Sequence, residues 1–202
     1  MSPSDPPLRK RLRRHEHSHH LRFLTFSTYR RLPLFLNPRI RDLFARHLAA
    51  ARHRFKFHLY AWVVMPEHIH LLLWPCLPDH PVSAVLRTFK RDFADEVICR
   101  WRQLGARVLE RLVTPQGKPR FWQHGGGYDR NIFSPAVLAE TIEYIHHNPV
   151  KRGLVAKPED WAWSSARWYA GHRSSDDPTE IPMDPLPPKR PRPPRFPDED
   201  PT

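Results

Sequence analysis

Cysteine is almost missing from this chain: only Cys76 and Cys99 occur in 202 residues. Two lone cysteines make neither a disulfide framework nor a zinc knuckle, and they suit a reducing cytoplasm. Long apolar runs are missing as well. No stretch reaches the roughly 18 apolar residues of a bilayer-crossing helix, so no membrane partner is expected. The first fourteen residues are basic but hold no apolar core segment, so no secretory signal is expected there. Acidic residues are the third scarcity. Asp and Glu total 21 against 33 Lys and Arg, giving a net charge of +12 and an isoelectric point near 10.4. Between Arg9 and Lys56 the only acids are Glu16 and Asp42, set among fourteen Lys and Arg. A charge run is often just a solvated face, but so one-sided a count favours phosphate contact and hence a nucleic-acid partner. No internal repeat is present. Gly125-Gly126-Gly127 lacks the strand–loop–helix and Lys-Ser/Thr context of a phosphate-binding loop, so it reads as flexibility or close backbone approach.

What is present divides into three parts. Residues 1–18 form a Pro-, Arg- and His-rich basic arm, expected to be disordered. Residues 19–172 carry the periodic apolar patterns of one domain. Residues 173–202 are expected to be a disordered tail, because ten prolines fall between 174 and 202 and large apolar side chains are scarce.

Inside the domain, residues 21–28 alternate as a first strand. Asn37 and Pro38 make an N-cap and first-turn proline, and Ile40, Leu43, Phe44, Leu48, Ala51 and Phe55 recur at helical spacing over 38–54. Residues 60–75 hold two short apolar runs broken at Met65-Pro66-Glu67, which predicts an antiparallel hairpin. Ser83 is placed to cap a second helix over 83–103, with Leu86, Phe89, Phe93, Val97 and Trp101 as its buried stripe. Residues 105–119 read as a loop or irregular hairpin, and 120–123 and 128–133 as strand pieces. A third helix begins at Ser134-Pro135. Pro149 should end it near Asn148. A last helical segment is expected within 158–170. The order strand, helix, strand, strand, helix, strand, then an extra helix predicts an α+β fold. The plan is ferredoxin-like: an antiparallel sheet with helices packed on it, plus a late helix carrying Tyr144.

His68 and His70 open the second strand of the hairpin. Side chains two apart on a strand share a face, so the two imidazoles project together while Ile69, Leu71 and Leu73 point to the core. Such a pair can converge on one metal ion, or serve as two structural histidines at a strand edge. Tyr144 sits at the edge of the apolar face of the late helix, with Asn148 one turn on. Tyr144 as an interfacial aromatic and Asn148 as a helix-end residue before Pro149 are the structural alternatives. Arg30 and Arg31 follow the first strand. Arg87, Lys90 and Arg91 lie off the buried stripe of the second helix, available to phosphate or to solvent. For Trp161 and Trp163, core packing is favoured over base stacking.

Five segments together carry a resemblance. Met65-Pro66-Glu67-His68-Ile69-His70-Leu71-Leu72 resembles the His-hydrophobic-His (HUH) motif of single-tyrosine transposases. The run Tyr144-Ile145-His146-His147-Asn148-Pro149-Val150-Lys151-Arg152-Gly153-Leu154-Val155 resembles their tyrosine helix and its sequel. Trp161-Ala162-Trp163-Ser164-Ser165, Arg120-Phe121-Trp122-Gln123 and Tyr128-Asp129-Arg130 are similar to stretches of the REP-associated tyrosine transposases. The likeness spans roughly residues 20–170. Glu67 stands where the family often has Asn or Asp, and the triple glycine replaces a bulkier segment.

The resemblance implies an HUH endonuclease-like fold and a metal-dependent single-strand DNA transesterase acting on single-stranded or hairpin DNA. It makes Tyr144 the nucleophile, forming a 5′-phosphotyrosine. His68, His70 and Asn148 would hold a divalent Mg or Mn ion, with Glu67 a competing third ligand. Arg30, Arg31, Arg87, Lys90, Arg91, Lys151 and Arg152 are the candidate DNA contacts. Two other classes remain open: a catalytically silent hairpin-DNA-binding module, and an RNA-binding ferredoxin-like domain that would need exposed aromatics on its sheet. The sequence leaves monomer and homodimer both open.

Overall fold

The computed structural model describes residues 21–76, 81–125, 127–172 and 181–187. The basic arm of residues 1–18 lies outside them. Four strands, β1 (Leu21–Ser27), β2 (Phe57–Val64), β3 (His68–Pro75) and β4 (Tyr128–Ile132), form one antiparallel sheet in the order β2-β3-β1-β4. That is the strand order of the ferredoxin-like plan expected from the sequence. The helices are α1 (Pro38–Phe55), α2 (Val82–Gln103), α3 (Val108–Leu112), α4 (Pro135–Lys151) and α5 (Ala166–Tyr169).

Strand periodicity builds two cores, one on each face of the sheet. Leu24 and Phe26 of β1, Leu59, Trp62 and Val64 of β2, and Ile69, Leu71 and Leu73 of β3 pack against α1 and α2. On the other face Ala61, Val63 and Leu72 meet Leu138, Ile142 and Ile145 of α4. Each such buried Val, Leu, Ile or Phe side chain contributes roughly 1.5–3 kcal/mol. A register shift between Leu59 and Ala61 inserts Tyr60 as an extra residue, so β2 serves both cores along its length. The face bearing His68 and His70, expected to point away from the core, is therefore covered: α4 lies over it, mostly across β2 and β3.

Several local expectations change. Ser83 does not cap α2; the helix starts one residue earlier, with the Pro81 carbonyl accepting from Ala84 and Val85. Pro149 lies inside α4 rather than ending it. The Asn148 and Pro149 carbonyls accept from Arg152 and Leu154, and Gly153, at φ 65°, closes the helix in the left-handed region. A proline in the last turn removes one ladder bond without blocking those beyond it. Residues 120–123 form no strand; Trp122 makes a single bridge to Thr28. Residues 105–119 contain the short helix α3 followed by an irregular hairpin closed by a bridge between Val113 and Pro119. The expected segment within 158–170 splits into a short 3-10 turn, Pro158–Asp160, and α5.

The edge of β2 away from β3 is met by other segments at Leu59, Trp62 and Val64. Val64 N–H donates to the Trp163 carbonyl and Ser165 N–H to the Trp62 carbonyl. Further along, Asp184 N–H donates to the Leu59 carbonyl and Leu59 N–H donates to Asp184 Oδ2 at 2.8 Å. Residues 181–187 thus depart from the unstructured tail expected for 173–202; the rest of that tail lies outside the described residues. Ile181 and Met183 are buried, and Asp184 pairs with Arg52 at 2.7 Å. An open strand edge exposes unpaired N–H and C=O groups, and this segment satisfies some of them.

Burial by itself would raise the Asp184 carboxyl. Hydrogen bonds from His58 and the Leu59 amide, with the Arg52 charge, hold it below the usual 3.8. A depressed aspartate contributes stability that is complete above its unfolded pKa and lost as pH falls through the native value. Asp184→Asn is expected to cost about 1–2 kcal/mol at pH 7. In urea titrations that deficit should shrink as pH drops below 3.8. A deficit independent of pH would show that the carboxylate charge plays no part.

Candidate active site

β1 and β3 pair so that Thr25 lies opposite His70 and Ser27 opposite His68. This register fixes the histidine pair. The two Nε2 atoms face one another at 3.1 Å, with both side chains buried. The outer edge of each ring is held from behind. His68 Nδ1–H donates to Glu67 Oε1 at 3.2 Å, and His70 Nδ1 is hydrogen-bonded to Thr25 Oγ1 at 2.7 Å. A carboxylate only accepts, so the proton of a neutral His68 sits on Nδ1 and the Nε2 lone pair is left for a cation. Burial pushes His70 down to about 3. Burial also lowers His68, against the opposing pull of Glu67. Burial by itself would raise the Glu67 carboxyl, but hydrogen bonds from Arg152 and His68, with their charges, hold it below its usual value.

These donors fit a divalent cation: two neutral imidazole nitrogens converge, each oriented through its other nitrogen. Among the described residues no cluster of three His, Cys, Asp or Glu side chains completes a site. Glu67 contacts the Nδ1 edge of His68, away from the converging Nε2 atoms. Asn148 is buried on α4, with its Nδ2 donating to the Tyr144 carbonyl at 3.4 Å.

Helical spacing brings Tyr144 to the same place. Its ring centroid is 5.5 Å from that of His70 and 6.0 Å from that of Phe23, and the residue is 43% exposed. Lys151 Nζ lies 5.2 Å from the Tyr144 ring centroid, a cation over its face. Arg152 Nη1 donates to Glu67 Oε1 at 2.8 Å, and Arg31 stands 3.5 Å from the same oxygen. Glu67 therefore ties the end of α4 to the turn after β1. In that turn Arg30 and Arg31 hold φ of 52° and 53°, left-handed values costly for residues other than glycine. Arg30 is exposed, and its amide donates to Gln123.

The remaining DNA-contact candidates are not brought to this site. Arg87, Lys90 and Arg91 ride on α2, across the sheet from α4. Lys90 Nζ lies 5.0 Å from the Phe26 ring centroid, and Arg91 pairs with Asp92 at 3.1 Å. Trp161 and Trp163 are structural, as favoured from sequence. Their indole N–H groups donate to the Val64 carbonyl and to Asp42, and Arg41 lies over both rings.

Sequence reasoning missed Thr25 and Phe23. Phe23 stacks on His70 with centroids 5.5 Å apart. It also left the role of the glycines undecided. Gly127, at φ 69°, lies so close to β1 that a Cβ would stand 2.1 Å from the Thr25 carbonyl oxygen. Gly127→Ala should therefore move β1 beside His70. We expect a loss of about 1–3 kcal/mol, the range for forcing atoms into packed space, read from the urea midpoint. An unchanged midpoint would mean that β1 is free to shift there.

Comparison with known proteins gives the family of the chain. The family model described as "Transposase IS200 like" matches residues 15–148, and the chain belongs to that family. A REP-associated tyrosine transposase of Escherichia coli K12 is 30% identical over 110 residues, 54% of each chain. A Haemophilus influenzae protein provisionally given the same name is 28% identical over 147 residues, 72% of this chain and 78% of its own. Among solved structures, a REP-associated tyrosine transposase bound to a REP hairpin superposes with a TM-score of 0.61 at 23% identity. The match covers 81% of this chain and 86% of that one, and it supports the fold.

Proposed function

We propose that the chain is a metal-dependent single-strand DNA transposase that cuts and rejoins DNA beside a hairpin through a 5′-phosphotyrosine. The observation carrying this reading is the Nε2 pair of His68 and His70, 3.1 Å apart, with the Tyr144 ring 5.5 Å from His70 in the same cleft. Membership of the IS200-like transposase family supports it, as does a hairpin-bound structural neighbour.

In this reading the Tyr144 oxygen attacks phosphorus, the phenolic proton departs, and the phosphorus–O3′ bond breaks. The leaving 3′ oxygen takes up a proton. The DNA 5′ end stays linked to Tyr144, and the released 3′-hydroxyl can later attack that ester, so strands rejoin without an outside energy source. His68, His70 and Asn148 would hold the divalent ion, with Glu67 and Thr25 orienting the imidazoles from behind. A bound Mg or Mn ion would polarise the scissile phosphate and offset its developing charge. The mixed nitrogen and oxygen donors favour Mn in affinity. Arg30, Arg31, Lys151 and Arg152 would meet phosphates around the cleft, and Arg87, Lys90 and Arg91 would meet them on α2. DNA as substrate, two exposed free cysteines, and the absence of a membrane-crossing helix among the described residues support work in the cytoplasm.

The direct test incubates the full chain with a labelled DNA hairpin and Mn²⁺ and scores a covalent protein–DNA adduct after denaturation. A second expectation concerns binding. The logarithm of affinity should fall linearly with the logarithm of salt, by roughly 0.7–0.9 per neutralised phosphate, and removing residues 1–14 should make that slope shallower. Salt-insensitive affinity would remove the basic surface from the binding account.

A further inference from the structure

We propose that the cleft between β4 and α4 holds one unstacked nucleobase of the DNA strand, beside the phosphate attacked by Tyr144. The proposal rests on the functional reading above and gives that site a base-binding subsite. α4 crosses mostly over β2 and β3. At the β1–β4 side a cavity of about 510 Å³ remains, lined by Phe23, His70, Tyr128, Arg130, Glu140 and Tyr144 among others. That volume lies within the roughly 300–1,000 Å³ typical of small-ligand sites.

Its walls suit a base. Phe23 packs edge-on against Tyr128 at 5.7 Å and against Tyr144 at 6.0 Å, so three rings line one trough. Tyr128 and Tyr144 remain 48% and 43% exposed despite these contacts, leaving aromatic surface open to the cleft. Stacking on such surface accepts any base, and an unstacked base of a single strand has a free face to offer. Arg130, opposite Phe23 in the sheet register, and Glu140 on α4 are both exposed and supply a donor and an acceptor among the cleft-lining residues. The platform is fixed. Tyr128 follows Gly127, whose backbone abuts the Thr25 carbonyl, and Thr25 is itself bonded to His70. The paired strands β1 and β4, with Thr25 opposite Tyr128, thus hold the histidine support and the base platform in a set relation.

The test uses the full chain and a DNA hairpin with single-stranded flanks. An abasic site is walked through the flank, and both Kd and adduct yield are read for wild type, Tyr128→Ala and Tyr128→Phe. At one flank position the abasic site should weaken wild-type binding by about 5- to 150-fold, the range for loss of one base–aromatic stack. Tyr128→Ala should cost a similar factor on intact DNA and nothing further at that abasic position, while Tyr128→Phe stays near wild type. Comparing two DNAs on one variant cancels any change in folded fraction.

If Tyr128→Ala and every abasic position act independently, or no abasic position matters, the base subsite is wrong. An adduct that still forms in that case keeps the Tyr144 reading intact. If the binding cycle holds but wild type forms no adduct, the subsite stands on a silent hairpin-DNA binder and the transposase reading falls. Failure of wild type to bind any hairpin overturns both.

Discussion

Tyr144→Phe should abolish the covalent protein–DNA adduct and the cut strand while leaving hairpin binding and folding nearly unchanged. The substitution keeps the ring, its edge contact with Phe23 and the cation of Lys151 over its face, and removes one oxygen. A structural hydroxyl contributes at most roughly 0.5–1.5 kcal/mol through a hydrogen bond. The thermal midpoint should therefore move little. If Tyr144 were only an interfacial aromatic, cleavage would survive, because the nucleophile would lie elsewhere. Tyr128 is the rival, since it lines the same cleft and is similarly exposed. An adduct that persists in Tyr144→Phe and disappears in Tyr128→Phe would exchange their roles. Absence of adduct in wild type with either metal, alongside tight hairpin binding, would favour the silent-binder alternative.

The parts legible in the sequence are those written locally. Asn37-Pro38 announces α1, and the Asn37 side chain does accept from the Arg39 amide. The break at Met65-Pro66-Glu67 sets the hairpin, and the two-residue spacing of His68 and His70 puts both rings on one face. Four-residue spacing likewise puts Tyr144 and Asn148 on one side of α4.

What the sequence withheld depends on contacts between distant segments. Thr25 and His70 are 45 positions apart, and only the β1–β3 register makes them partners. Nothing in the sequence shows that the Glu67 carboxylate lies on the Nδ1 edge of His68, bridged to Arg152 some 85 positions away. Residues 181–187 have the composition of an unstructured tail. Two buried apolar side chains and one carboxylate suffice to dock them because β2 has an open edge to cover. Backbone demand on one element can thus order a segment whose own composition gives no sign of it.

Replacing either histidine should separate metal binding from DNA binding. His68→Ala or His70→Ala removes one of two converging nitrogens, leaving too few donors for a divalent ion. Mn²⁺ affinity, measured by calorimetry without DNA, should fall by more than the roughly 10- to 100-fold that loss of an orienting outer partner costs. The adduct should vanish with it, while affinity for the hairpin, carried by basic side chains, persists. Thr25→Val supplies the graded comparison. It keeps β-branching and bulk opposite His70 but withdraws the hydroxyl from Nδ1, so its metal affinity should drop within that 10- to 100-fold range. Each histidine is buried, so its removal leaves a cavity, and melting must be followed in parallel. An affinity loss in Thr25→Val with an unchanged melting temperature cannot be ascribed to unfolding. Asn148→Ala and Glu67→Ala complete the set. If Asn148 is the third ligand, its removal weakens Mn²⁺ binding like loss of a histidine, and Glu67→Ala behaves like Thr25→Val. The reverse ranking would make Glu67 the ligand. Unchanged cleavage in the His68→Ala, His70→Ala double variant would falsify the metal assignment outright.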